Sequence, residues 1–320
     1  MVSAKTVGDV RDVAANIREN VQKIIVGKDD AINLALVALL CKGHALLEDV
    51  PGTGKTTMAK ALAQSLGCDF HRIQCTPDLM PSDVLGVNFY NQKVGEFEFR
   101  EGPVFSQIVL TDEINRATPR TQSSLLEAMQ ERQATIDGDS MTLPEPFMVM
   151  ATQNPVEMEG TFPLPEAQLD RFMVRIVIGY PTSEEEGQIY KRFEDDPVPP
   201  AVDAVTNSQD LEALQGVPPR VRVDDSVRSY IVDVITSTRD NAGLSLGASP
   251  RAGLALYKAS QAWAALEGRD FVTPDDVKLL ARSVLPHRLI LSSAARLRGN
   301  SADQIVDDVL DTVEVPIERQ

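Results

Sequence analysis

Seven residues constrain this chain more than any other feature: Pro51-Gly52-Thr53-Gly54-Lys55-Thr56-Thr57, set between the strand-like segment HALLE and the helical run MAKALAQSLG. Glycines between a buried strand and a helix let successive backbone N–H groups curl toward one point, where the helix N-terminus adds positive potential, so the segment reads as a phosphate-binding loop. Lys55 then supplies charge at the β and γ phosphates, and the Thr56 hydroxyl can ligate magnesium. A Gly-x-Gly-Lys-Thr string arises by chance in a chain of 320 residues on the order of once in a hundred. A plain helix-opening turn therefore accounts for it poorly. One position departs from the general pattern: a glycine is usual five residues before Gly54, and here stands Asp49. An inward carboxylate would repel a triphosphate, so its side chain is expected to face away.

A second apolar run, FSQIVLTDE, ends in Asp112-Glu113, 57 residues after Lys55. Strand alternation would send the two carboxylates to different tasks, Asp112 to the metal and Glu113 to the attacking water as general base. Alone, the pair could equally be a helix N-cap with an acidic first turn. A third run, FMVMA, ends in Thr152-Gln153-Asn154-Pro155, which leaves an amide donor at a strand tip to orient water or touch the γ phosphate; an Asx turn before proline is the plain alternative. In Pro165 to Phe172, Arg171 follows Asp170. It is either a paired surface arginine or a finger that stabilises transition-state charge in a neighbouring copy.

Around these motifs the chain has a rhythm. Helical periodicity over Ala14 to Gln22 and Ala31 to Cys41 precedes five short apolar runs: Ala45-Leu46-Leu47, Arg72 to Cys75, Ile108-Val109-Leu110, Phe147 to Ala151 and Met173 to Ile178. Mostly alternating with helical patterns, these predict an α/β fold with a parallel five-stranded sheet between helical layers. Val87 to Phe105 and Gln133 to Pro146 suit hairpins projecting from it, the second turning at Asp137-Gly138. Acidic residues and prolines over 194 to 201 mark a linker, so residues 1–200 form one expected domain and 201–320 a second that reads as all helix. Ser249-Pro250, Thr273-Pro274 and Thr118-Pro119 are helix starts.

The net charge of -16 leaves no basic stripe to neutralise a phosphate backbone, so nucleic acid is disfavoured as a partner. No apolar stretch approaches the roughly 20 residues of a membrane span, no signal-peptide pattern opens the chain, and three cysteines fit a reducing compartment. A cytoplasmic location is expected. Cys68, His71 and Cys75 have a metal-like spacing but lack a fourth ligand. His44 and His287 have no evident partner, Trp263 lies on an apolar helical stripe, and Ile305 to Val313 reads as a packed amphipathic helix.

The order phosphate loop, Asp-Glu strand, Asn-tipped strand, Asp-Arg-Phe and helical domain resembles the AAA+ ATPases. The wording EDVPGTGKTTMAKALA, RIQCTPDLMPSDVLG, TDEINRATPRTQSSLLEAMQER, ATQNPVEMEGTFPLPEAQLDRF and GASPRAGLAL is similar to the MoxR family, over residues of about 15 to 315. That resemblance implies an AAA+ P-loop three-layer domain followed by a small all-helical lid. It implies ATP and Mg2+ as ligands, Pro51 and Gly52 to Thr57 as Walker A, and Asp112-Glu113 as Walker B. Asn154 becomes sensor 1, Arg171 the arginine finger, Arg251 sensor 2, and Val26-Gly27 an adenine-contacting segment whose small residues admit the purine edge. Gln74 would restrain Glu113. The hairpins match family inserts that face a pore, where Met80, Phe89, Tyr90 and Phe97 could grip a client; Arg116 and Arg120 could reach a neighbour or be solvated helix charges.

The implied protein is a Mg-ATP-hydrolysing homo-oligomer, a hexameric ring that remodels or matures protein complexes. Its client class could include partners with a von Willebrand factor A domain, and its task could be metal insertion. Alternatives are a nucleic-acid motor, a magnesium-chelatase-like subunit, a small-molecule P-loop kinase and a slow nucleotide-controlled scaffold. The first is weakened because Val87 to Phe105 carries only Lys93 and Arg100 as cations. The kinase is weakened by Glu113, which seats a base where water must be excluded.

Overall fold

The five apolar runs form the five expected strands. The computed structural model describes residues 5–50, 52–154, 160–195 and 200–316. In chain order its strands are β1 (Ala45–Glu48), β2 (Phe70–Gln74), β3 (Gly86–Asn91), β4 (Glu96–Glu101), β5 (Ile108–Asp112), β6 (Gln133–Ile136), β7 (Asp139–Thr142), β8 (Met148–Gln153), β9 (Val174–Ile176), β10 (Leu244–Leu246) and β11 (Ile290–Leu291). The main sheet runs β2-β5-β8-β1-β9, every pairing parallel.

Register brings the strand ends together, because Gln74 lies opposite Asp112 and Glu48 opposite Gln153. The phosphate loop, the Asp112-Glu113 pair and Asn154 therefore open at the carboxyl ends of the strands, where ligands of open α/β sheets collect.

The helices are α1 (Val7–Gln22), α2 (Asp29–Leu40), α3 (Lys55–Leu66), α4 (Pro81–Leu85), α5 (Pro119–Glu131), α6 (Glu166–Leu169), α7 (Ser183–Asp195), α8 (Ser208–Gln215), α9 (Asp225–Asp240), α10 (Pro250–Leu266), α11 (Pro274–Val284), α12 (Ser293–Leu297) and α13 (Ala302–Thr312). Alternate strand residues face two apolar layers. Ala45, Leu47, Ile108, Leu110, Met148 and Met150 pack with α1, α2 and α3. Leu46, Val109, Val149 and Ala151 pack with α4, α5 and β6. The period-two strand makes this split, and it yields three layers.

The first of these cores does not stop at the linker. It continues without a break through Leu211 and Leu214 of α8, Leu256 and Ala259 of α10, and Val277 and Leu280 of α11. Polar contacts follow the same route: the Asn20 amide donates to Ser65 Oγ at 3.0 Å and to the Asp203 carbonyl at 2.7 Å, and Gln215 Nε2 donates to the Leu39 carbonyl at 2.6 Å. The second unit is helical apart from a short antiparallel β10–β11 ribbon. Strands of three and two residues carry too little periodicity to read from sequence.

Ser249 and Thr273 cap their helices as expected, and Thr273 forms a reciprocal box with Asp276. Both hairpins are present as β3–β4 and β6–β7. Asp137 and Gly138 both have positive φ, 52° and 97°, which is the turn that matches strand twist. Trp263 packs against the first core, and α13 buries Ile305, Val306, Val309 and Leu310.

Candidate functional site

At the carboxyl ends of the strands lies a cavity of about 390 Å³ lined by Gly52, Gly54, Lys55, Thr56, Thr57, Arg72, Gln74, Asp112, Glu113, Thr152 and Asn154. Pro51 lies outside the described residues. Gly52 and Gly54 have φ of 84° and 85°, a left-handed backbone that lets the loop curl before α3 begins at Lys55. Lys55 Nζ donates to the Asp49 and Val50 carbonyls at 2.8 and 3.0 Å, folded back on its own loop.

The Asp49 side chain does face away. Its carboxylate accepts from Val50 N at 2.7 Å and from Gly179 N, just beyond β9, at 2.6 Å. The residue that replaces the usual glycine therefore ties the loop to the segment that follows β9, the edge strand beside β1.

Asp112 is buried at the tip of β5. Its Oδ1 accepts from Thr152 Oγ1 at 3.0 Å, and its Oδ2 accepts from Arg72 Nε at 2.7 Å and Thr56 Oγ1 at 3.3 Å. Glu113 has left the strand. It diverges from Asp112 through a left-handed residue with φ 54°, not through strand alternation as the sequence suggested. Its N–H donates to Thr152 Oγ1 at 2.8 Å, so one hydroxyl bridges the two acids. The Glu113 carboxylate accepts from Arg116 at 3.1 Å and from Gln74 Nε2 at 3.4 Å. Arg116 is thus paired with an acid of the cleft, whereas Arg120 is exposed on α5. Asn154 is buried and lines the same cavity.

Thr152 and Arg72 escaped the sequence reading. Each is chemically ordinary and far from the acids in sequence; only the β2-β5-β8 order brings them to Asp112.

Val26-Gly27 flanks the loop, with the Ile25 side chain 3.8 Å from where a Cβ on Gly54 would stand. At Gly27, φ 67°, an added Cβ would overlap the Glu185 carboxylate of α7. The glycine makes room for that carboxylate, which accepts from Thr182 N at 2.8 Å and pairs with Lys28 at 3.5 Å. In this structure the small residue leaves room for the Glu185 carboxylate of α7.

Arg171 and Arg251 do not line the phosphate-loop cavity. They line another, also of about 390 Å³, with Lys42, Arg132, Lys258, Arg288 and, as its one acid, Asp170. Arg171 donates to the Leu126 carbonyl at 2.6 Å. Asp170 lies between Arg251 at 3.8 Å and Arg288 at 3.3 Å. Arg288, 6% exposed, donates to the Phe172 carbonyl at 2.6 Å. Burial lowers its pKa to about 10, against the pull of Asp170. Six cations around one carboxylate give this pocket a positive field in an acidic protein.

His44, on the wall of that second cavity, is a structural clamp. Its Nδ1 accepts from Val149 N at 2.9 Å, so its Nε2 carries the proton donated to the Met129 carbonyl at 3.0 Å. Burial pushes its pKa down to about 4. His71 bonds Ser106 at 3.0 Å, burial pushes each of the three thiols up to about 12, and no group of three or more His, Cys, Asp or Glu among the described residues could hold a metal ion. Cys68, His71 and Cys75 do not come together as a ligand group in this structure.

Comparison with known proteins gives a consistent result. Residues 44–174 match the family model described as ATPase family associated with various cellular activities (AAA), and residues 236–309 match an AAA lid domain. The uncharacterized protein YeaC of Bacillus subtilis (strain 168) is 50% identical over 311 residues, 97% of each chain. Chaperone MoxR1 of Mycobacterium tuberculosis (strain ATCC 25618 / H37Rv) is 43% identical over 305 residues, covering 92% of this chain and 80% of the relative. Among solved structures, a protein from Cytophaga hutchinsonii ATCC 33406 assigned as an ATPase superposes with a TM-score of 0.90 at 39% identity over 97% of each chain.

Proposed function

The chain belongs to the MoxR family of AAA+ ATPases and is an ATP-hydrolysing enzyme; from that premise we propose that its complete hydrolytic site is shared between two copies and that turnover drives chaperone-like remodelling of protein complexes. The observation that carries this is the separation of the two cavities: one holds Lys55, Thr56, Asp112, Glu113 and Asn154, the other Arg171 and Arg251. A second copy that presents its arginine pocket to the first copy's phosphate loop supplies what one chain lacks, and repetition of that head-to-tail contact closes a ring, which we take to be a hexamer.

The donor set fits Mg2+, since a threonine hydroxyl and a carboxylate are hard oxygen ligands and this ion completes its shell with phosphate and water. When bound, the ion neutralises phosphate charge. Thr56 and Asp112 would hold it. Lys55 gives up its two loop carbonyls for the β and γ phosphates, and backbone N–H groups of residues 52–57 take the remaining oxygens. Glu113, once released from Arg116 and Gln74, accepts the proton of the attacking water, which Asn154 orients. Arg171 and Arg251 of the second copy stabilise the charge that develops on the transferred phosphoryl group.

The client reading draws on the chaperone name of the mycobacterial relative and on the first hairpin. There Phe89, Tyr90 and Phe97 are 42%, 53% and 73% exposed beside Met80 at 57%, with Glu96, Glu98 and Glu101 among them. An apolar, acidic hairpin suits a polypeptide better than nucleic acid. A von Willebrand factor A domain partner and metal insertion are the finer forms of this proposal, and a cytoplasmic site of action accords with the absence, among the described residues, of any helix long and apolar enough to cross a membrane.

The test is magnesium-dependent ATP hydrolysis per mole across a wide protein concentration range. Specific activity should rise with concentration. It should fall by a factor of about a thousand in Arg171→Ala and in Glu113→Gln. Flat specific activity with an active Arg171→Ala would sink the shared site.

A further inference from the structure

Every charged group in the phosphate-loop cavity is already engaged by the protein. Lys55 holds two carbonyls, Arg116 holds Glu113, and Arg72 holds Asp112. The first two pairs sit beside the reacting groups, but the third stands on the very atom that Mg2+ would claim. Arg72 Nε is 2.7 Å from Asp112 Oδ2, the oxygen that also accepts from Thr56 Oγ1 at 3.3 Å. The guanidinium reaches there from β2, with Nη2 anchored on Gln74 Oε1 at 2.8 Å.

We propose that Arg72 is a resident counter-ion of the metal position: it neutralises Asp112 when no metal is bound, exchanges with Mg2+, and then turns to the terminal phosphate of the nucleotide. This inference rests on the reading of the cavity as a Mg-nucleotide site. Two cations cannot both sit closely on one carboxylate oxygen without mutual repulsion, and the doubly charged ion with its small oxygen shell is the stronger claimant. Once displaced, Arg72 keeps its Gln74 anchor as a pivot. The other carboxylate lining the cavity is Glu113, already paired with Arg116 at 3.1 Å and touched by Gln74 at 3.4 Å. The phosphate oxygens are then the acceptors left for a planar donor fork, which suits them.

Two opposite effects follow for Arg72→Met, which keeps an apolar stem at a side chain already half-exposed. With the competitor gone, Mg2+ should tighten binding of a nucleoside diphosphate more than it does in the parent. With the phosphate donor gone, the preference for triphosphate over diphosphate in the presence of Mg2+ should shrink. Each change is expected to be about three- to tenfold, the range of a charge-assisted contact at a half-exposed position. Arg72→Lys, which keeps the charge but loses the fork, should fall between.

The experiment is equilibrium binding of fluorescent mant-ADP and non-hydrolysable mant-AMPPNP to the full-length protein, each in excess Mg2+ and in EDTA. Parent, Arg72→Met, Arg72→Lys and Lys55→Ala are compared. A larger metal-dependent gain for mant-ADP together with a smaller triphosphate preference in Arg72→Met supports the proposal. An unchanged metal-dependent gain, or a triphosphate preference that survives, overturns it. Failure of the underlying site reading looks different: the parent would not bind mant-ADP saturably, or Lys55→Ala would bind as tightly as the parent.

Discussion

Replacing Thr152 by valine removes one hydroxyl and leaves the shape of β8 intact, and its cost can be worked from the two bonds that hydroxyl makes. It donates to Asp112 Oδ1 at 3.0 Å and accepts from Glu113 N at 2.8 Å, at a residue only 2% exposed. A hydrogen bond to a charged group contributes about 1.5–3 kcal/mol net, and one to a backbone N–H about 1 kcal/mol. Asp112 keeps Arg72 and Thr56 as donors, so the first figure belongs at its lower end. The added methyl group returns about 0.8 kcal/mol of burial. The net loss is about 2 kcal/mol, roughly a thirtyfold change in the folded-to-unfolded ratio. Urea unfolding of the nucleotide-free protein reads it directly. Thr152→Ser, which keeps the hydroxyl, should recover most of it, and a double mutant with Asp112→Asn should be non-additive because the two side chains share a bond. A loss below about 0.5 kcal/mol for Thr152→Val, or additivity with Asp112→Asn, would refute the bridge.

Acid lability provides a second test. His44 and His287 are both held below the ordinary histidine value by burial, His44 at about 4. Below the ordinary histidine value of 6.5 the unfolded chain binds protons that the folded chain does not, so stability is fully present above that pH and declines toward about 4, with a slope approaching about 2.7 kcal/mol per pH unit for two such groups. His44→Gln, which can still accept from Val149 and donate to Met129, should halve the slope between pH 6 and 5, measured by urea midpoints; an unaltered slope would remove His44 from the account. Gly27→Ala should cost about 1 kcal/mol for the left-handed backbone alone, and more because the new methyl displaces Glu185. Thermal unfolding would show it, and a neutral result would mean that α7 does not close on Gly27.

Much of the architecture was legible because it is local. Apolar runs of three to six residues, bounded by turn residues, gave away the five main strands, and Asp137-Gly138 announced its hairpin. The gathering of Lys55, Thr56, Asp112 and Asn154 in one cavity was legible because their motifs follow buried strands of one parallel sheet. The hidden part is what sheet order assembles. Arg72 on β2, Thr152 on β8 and Arg116 beyond β5 look like ordinary surface or strand residues until parallel pairing places them around Asp112 and Glu113. Backbone handedness was equally invisible at Glu113, where a left-handed residue does what strand alternation was expected to do. The contact of Gly27 with Glu185 was invisible in the sequence because the two stand more than 150 residues apart.

The shared core has a consequence for how the protein is made. Val10, Ala14 and Ile17 of α1 belong to the same apolar cluster as Leu256 and Ala259 of α10 and Val277 of α11. A ribosome working at roughly 5–20 residues per second releases α1 tens of seconds before α10 exists to cover it. Through that interval the part of the α1 face that α10 covers lacks its native neighbour, while α2 and α3 already pack on the rest of the helix. A pairing so distant in sequence also slows closure of the core once synthesis ends. Slowed translation of the last quarter of the chain would lengthen that partial exposure.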